Sequence, residues 1–219
     1  MNKRRKTVGR WLMGVGLLLL AAAAALTAYN VWDTRRAAET ADQVLEQLVS
    51  AIPSPLPVQT PPAGEVLPMP EPEEEIPDYI LAPKMEMPVQ KVDGNGYIGV
   101  LEIPSLNLSL PVMSEWSYGN LKVTPCRYSG SVYTDDMVIA AHNYKGHFGA
   151  LPRLLVDSEI LFTDVDGNVF RYRVAGLETL SATAVEEMTS GEWDLTLFTC
   201  TMSRQSRLTV RAERIKESQ

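Results

Sequence analysis

The chain has 219 residues, a formal net charge of −7, two cysteines and two histidines, and its length allows one or two domains. Residues 1–36 carry seven Lys/Arg against one acid, residues 37–93 two against eleven, and residues 94–219 eleven against fifteen. The mildly acidic C-terminal part lacks the clustered bases that a phosphate backbone needs, which sets nucleic acid aside, and so few Cys and His exclude a disulfide scaffold and most four-ligand zinc sites.

Trp11 to Tyr29 is an uncharged run that as a helix would span roughly 28 Å at about 1.5 Å per residue, one bilayer core. Lys3, Arg4, Arg5, Lys6 and Arg10 precede it. The positive-inside rule then makes residues 1–10 a cytoplasmic tail, residues 11–29 a single-pass cell-membrane anchor, and everything after Asn30 extracellular. A cleaved signal peptide is the competing reading, but its apolar region would run only about 7–15 residues, and Leu26-Thr27-Ala28 is a poor exit site. Ala37, Ala41, Val44, Leu45, Leu48 and Val49 recur at helical spacing, so residues 30–52 are expected to form a juxtamembrane helix.

Residues 53–93 read as a Pro/Glu-rich linker: Pro53 to Pro88 holds eleven of the fifteen prolines around Glu71-Pro72-Glu73-Glu74-Glu75, a composition that cannot bury a core. As polyproline II, at about 3.1 Å per residue, it would hold a domain up to about 110 Å from the membrane. From Gly94 the texture changes to short β-branched and aromatic runs bounded by Pro, Gly, Asn and Asp, so residues 94–219 are expected to be an all-β domain. Strands are expected at Tyr97–Ile103, Leu108–Met113, Met137–His142, Ile160–Thr163, Val169–Leu180, Asp194–Thr201 and Arg207–Ile215. Short helical turns are expected at Trp116–Leu121, Phe148–Leu155 and Ala182–Met188. Asp164-Val165-Asp166-Gly167-Asn168 opens like a calcium loop, but Ala175 stands where the bidentate Glu belongs, and an Asp-Gly hairpin turn is the preferred reading.

Thr196-Leu197-Phe198-Thr199-Cys200 ends an apolar strand, and Arg207 opens the next. If the two strands are antiparallel neighbours, Cys200 and Arg207 lie close together; a cation favours the nucleophilic thiolate, and a guanidinium also donates to an oxyanion. The competing reading of a lone Cys is a small buried hydrophobe. His142 ends the apolar run Met137 to Ala141, a rim position that suits a general acid or base, although a histidine there is also satisfied by a backbone carbonyl. His147, within Lys145-Gly146-His147-Phe148-Gly149, is read as a loop residue, and Arg204 as a second candidate for the arginine role. Cys126 is expected to be a buried free thiol, because a disulfide to Cys200 would block the nucleophile and leave only a redox switch.

Thr196 to Cys200 (T-L-x-T-C), Ala141-His142, and Arg207 to Glu213 (R-L-x-V-R-x-E) together resemble a sortase, a membrane-anchored cysteine transpeptidase of Gram-positive surfaces. Gly99 to Pro104 and Pro111-Val112 are similar to the family's opening strands. The resemblance covers residues 94–217 and implies a closed eight-stranded β-barrel with short helices, preceded here by the anchor and linker. It implies Cys200 as nucleophile, His142 as acid/base, Arg207 as oxyanion or substrate stabiliser and Thr199 as a substrate-binding neighbour, with no metal and no organic cofactor. The implied partners are LPXTG-like sorting signals of secreted proteins, an amine acceptor from cell-wall peptide or pilin, and the membrane through the N-terminal helix.

His142-Asn143 with Phe148-Gly149-x-Leu151 is similar to class B sortases, but the interval from Asn168 to Trp193 is shorter than their helical insertion, so the class stays open. L,D-transpeptidases carry their Cys in a compact S-x-G-C-x-R loop, and papain-like hydrolases place Cys before His; both fit this order less well. The non-enzymatic alternative is a membrane-tethered surface-binding domain in which Cys200 is merely buried.

Overall fold

The hydrophobic stripe of the juxtamembrane stretch has a partner. In the computed structural model, which describes residues 2–53, 76–201, 203 and 205–216, one uninterrupted helix, α1, runs from Asn2 to Ala51. Beyond Arg10 it includes a window of mean hydropathy 2.1, none of it buried by the rest of the chain. Its later half packs on the barrel: Ala37, Ala41, Val44 and Leu48 are buried, one residue per turn along a single face. Val44 and Leu48 join Val92, Tyr97, Val100, Met113 and Cys126 in one apolar cluster, and burying two such side chains contributes about 3–6 kcal/mol before ordering costs. The C-terminal half of α1 and the barrel are therefore in direct contact. Pro53 lies against Gly167, Tyr79 stacks on Tyr133 at 5.0 Å between ring centroids, and most of the expected linker, residues 54–75, lies outside the described residues.

A short helix α2 (Asp78–Leu81) leads into nine strands, β1 (Gln90–Val92), β2 (Asn95–Ile103), β3 (Leu108–Met113), β4 (Cys126–Ser129), β5 (Met137–Ala140), β6 (Glu159–Asp164), β7 (Val169–Ser181), β8 (Leu195–Cys200) and β9 (Ser206–Arg214). A helical turn α3 (Val185–Met188) lies between β7 and β8. The order β2-β3-β4-β5-β8-β9-β7-β6 returns to β2 through a β2–β6 pairing, closing an eight-stranded barrel with β1 appended outside. The seven expected strands all occur within two residues at each end. β1 and β4 were not expected: β1 is three residues long, and β4 follows Pro125 and meets β3 at a single parallel pair, Met113↔Cys126.

Gly99 makes the closure possible. It sits at φ 156° between β3 and β6, and a Cβ there would collide with the Thr163 carbonyl oxygen, a conformation and a spacing that suit glycine alone. Inside, Ile98, Leu101, Ile139, Phe162, Phe170, Tyr172, Leu195 and Leu197 form the main core. The Asp164–Asn168 segment is the expected hairpin turn. Asp164 Oδ1 accepts from Asp166 N and Asn168 N at 3.0 and 2.9 Å, and Oδ2 accepts from Asn168 Nδ2 and Tyr133 Oη, both at 2.8 Å.

An Asp at position 48 would place a charge in the seam between α1 and the barrel. We expect Leu48→Asp to release the helix and raise the alkylation rate of Cys126 in the full chain roughly tenfold or more, read by peptide mass mapping. Unchanged protection of Cys126 would show that α1 does not cover it.

Candidate active site

The parallel register of β5 and β8 pairs Ile139 with Leu197 and Ala140 with Phe198, and Ala141 N donates to Phe198 O at 3.2 Å. Continued by two residues, that register brings His142 level with Cys200. On the other side of β8 the antiparallel register pairs Cys200 with Arg207 directly. Leu195 and Leu197 lie in the barrel core, so the alternate positions Thr196, Phe198 and Cys200 face outward. Cys200 and Arg207 on their paired strands, with His142 just past the end of β5, thus fall in one row by register, about 10 Å from end to end at the usual strand spacing. All three are half-buried.

The row is pinned through the backbone. Thr199, expected as a substrate contact, is buried, and its hydroxyl donates to Ala141 O at 2.8 Å. The structure gives it a structural place: it ties the end of β8 to the residue before His142. Phe148 N donates to His142 O at 3.1 Å, and Thr201 N donates to Ser206 O at 3.0 Å, closing the hairpin that carries Arg207. Arg204 lies outside the described residues.

Two neighbours were not foreseen. The Tyr144 ring stacks on His142 at 4.8 Å between centroids, with the planes 27° apart, and meets His147 at 5.5 Å. Arg211, one of the residues quoted in the R-L-x-V-R-x-E strand, is buried two positions along the same face from Thr209. Its guanidinium donates to Glu178 Oε1 (2.6 Å), Thr196 Oγ1 (2.9 Å) and Glu187 O (2.7 Å), fastening α3 to the barrel. Beside the row, Phe198 makes an edge contact with Tyr128, which packs on Trp116, each at 5.3 Å. Cavities of about 630 Å³ around Trp116, Tyr128 and Arg127 and about 680 Å³ around Leu180, Trp193 and Arg211 flank the row, and neither includes Cys200.

The two cysteines, both free, differ in kind. Cys126 is fully buried, and burial pushes its thiol up to about 12, which removes it from nucleophilic chemistry near neutral pH. Cys200 reaches the surface beside a histidine and an arginine. His147 is fully buried, with neither ring nitrogen closing a hydrogen bond of good geometry. Burial first, and the nearby His142 charge second, hold it down to about 4, while the Val123 backbone acts weakly in the opposite direction.

The register thus brings a cysteine, a histidine and an arginine together on the outside of a closed barrel. The sortase domain family matches residues 101–215, and the chain belongs to the sortase family of transpeptidases. Among solved structures it is similar to sortase C1 of Streptococcus agalactiae (22% identity, TM-score 0.50, 58% of this chain and 72% of that one). It is also similar to sortase C of Streptococcus pneumoniae (24%, TM-score 0.49, 59% and 73%) and to the sortase D5 transpeptidase of Clostridium perfringens (18%, TM-score 0.49, 55% and 79%). No curated protein sequence matches the chain. At these identities the S. agalactiae likeness concerns the fold, and it agrees with the closed barrel. Between Asn168 and Trp193 the structure holds β7 and the single turn α3, with no long helix.

His147 has a consequence for stability. Unfolded, its imidazole takes a proton near pH 6.5; folded, it does so only near 4. The unfolded state binds more protons between these values, so stability falls as pH drops through that window and levels off below it, by up to about 3 kcal/mol. The variant His147→Leu should lose this part of the acid dependence in chemical unfolding of the detergent-solubilised chain. Parallel pH profiles for the two proteins would contradict it.

Proposed function

We propose that this protein is a membrane-anchored cysteine transpeptidase that cleaves an LPXTG-like sorting signal between Thr and Gly and transfers the acyl part to an amine. The carrying observation is the single row His142, Cys200, Arg207 on one barrel face. The Cys200 thiolate attacks the Thr carbonyl carbon, forming a C–S bond and a tetrahedral oxyanion beside the Arg207 guanidinium. Collapse breaks the C–N bond, and protonated His142 gives its proton to the leaving glycine amine. An acceptor amine from cell-wall peptide or a pilin then attacks the thioester; His142 takes the amine proton, and the thiolate leaves. Nothing in the sequence calls for a metal or organic cofactor in this scheme.

The domain division that goes with this reading is a cytoplasmic tail (1–10), an anchor (11–29), a juxtamembrane helix (30–52), a Pro/Glu-rich linker (53–93) and an extracellular catalytic domain (94–219), on the surface of a Gram-positive cell. The binding-domain alternative needs a buried Cys200, and its half-exposed position between His142 and Arg207 weighs against it.

Incubation with LPXTG-type peptides and a glycine or diaminopimelate-containing amine, followed by intact-mass analysis, should give a thioester adduct on Cys200 that the amine discharges. Cys200→Ala should form no adduct while keeping its fold, and Arg207→Ala should lower kcat roughly 100-fold. Acyl transfer by the Cys200→Ala protein would contradict the scheme.

A further inference from the structure

His142 stands just beyond the end of β5, where strand pairing no longer holds its side chain, and its orientation depends on what packs against it. One such neighbour leads outside the barrel. The Tyr144 ring lies over the His142 imidazole at 4.8 Å, and the Tyr144 hydroxyl donates to Asp33 Oδ2 of α1 at 3.1 Å. The same loop lies flush on the helix one turn later: a Cβ on Gly146 would come within 3.0 Å of Ala38 Cβ. Ala37, Ala41, Val44 and Leu48 continue this seam along the barrel. No proline or glycine interrupts α1 from Leu17 to Ala51, so the residues that touch the loop are rigidly continuous with the apolar run ending at Tyr29.

We propose that Asp33 and Tyr144 are positioning residues for His142, and that the juxtamembrane part of α1 is thereby a structural component of the active site. This rests on the acid/base role of His142 given above. Asp33 fixes the Tyr144 ring, and the ring restricts rotation of the imidazole, keeping one edge toward Cys200. Ionisable groups near the imidazole include Tyr144 itself, His147, which shares the Tyr144 ring, and Cys200 and Arg207 along the row. The contact between Asp33 and this loop is made at the Tyr144 hydroxyl, so its action on His142 is assigned through the tyrosine.

The test uses the full chain in lipid nanodiscs, with Asp33→Ala, Asp33→Asn, Tyr144→Phe and the double variant Asp33→Ala/Tyr144→Phe. Acyl transfer is measured by steady-state kinetics, and the imidazoles are followed by histidine-selective NMR, where His142 and His147 are the only two signals. Each single variant that breaks the hydrogen bond should lower kcat about five-fold with little change in KM. The double variant should be no slower than either, because both remove one interaction. Asp33→Asn, which keeps an acceptor oxygen, should recover much of the loss. The His142 ring signals should move in Asp33→Ala, while Cys126 stays protected from alkylation, showing that α1 is still docked.

Losses that multiply in the double variant, or wild-type kcat together with unmoved His142 signals in Asp33→Ala, would overturn the proposal. Should the wild-type chain transfer no acyl group, the NMR arm decides separately. Moved His142 signals would then uphold the contact and refute the transpeptidase reading, and unmoved signals would refute the contact itself.

Discussion

Everything about the site depends on the register of three strands. β8 is flanked by a parallel neighbour, β5, and an antiparallel one, β9, and side chains alternate sides with period two. A slip of one residue on either side would turn His142 or Arg207 to the other face and leave Cys200 without it. The core enforces the register: Leu195, Leu197, Ile139, Val210 and Ala212 are inside, so a slip would also bring their apolar side chains out. Burial of the inner face and alignment of the outer face are one constraint, which is why ordinary core residues determine the spacing of the reactive ones.

The outer surface of the barrel has two differently treated parts. Across β2, β3 and the start of β4 it is covered by α1, and Cys126 lies in that cluster as an inert thiol. Across β5, β8 and β9 it is open at the row that holds Cys200. The His142–His147 loop joins the two parts, since Tyr144 and Gly146 touch α1 while Tyr144 also touches both imidazoles. Arg211 does the corresponding work on the far side, holding α3 against β8 and β9 through Glu187 O, Met188 O and Thr196 Oγ1.

Much of this was legible in the sequence because strand ends and apolar alternation are local signals. The T-L-x-T-C run, the A-H strand end and the R-L-x-V-R strand each announce their residue type and face, and the barrel is closed as the resemblance implies. What escaped was non-local. The stripe Ala37, Ala41, Val44, Leu48 was readable as a helix face, but nothing in a linear pattern says which surface it covers. Nor does it say that the apolar run and the juxtamembrane stripe belong to one uninterrupted helix. β4 is too short and too close to Pro125 and Gly130 to stand out, and no linear signal shows that the Thr199 hydroxyl donates to the Ala141 carbonyl. Tyr144 carried a faint signal, an aromatic two residues after a candidate acid/base.

In the proposed reaction an acyl group on Cys200 would sit between His142 and Arg207. The most direct measurement is a crystal structure of the chain trapped on Cys200 with a thiol-reactive analogue of an LPXT peptide. The account predicts that the oxygen standing for the Thr carbonyl lies within hydrogen-bond reach of the Arg207 guanidinium and that the position of the departing amine faces His142. An adduct whose carbonyl oxygen points away from Arg207, with His142 turned from the leaving position, would contradict it.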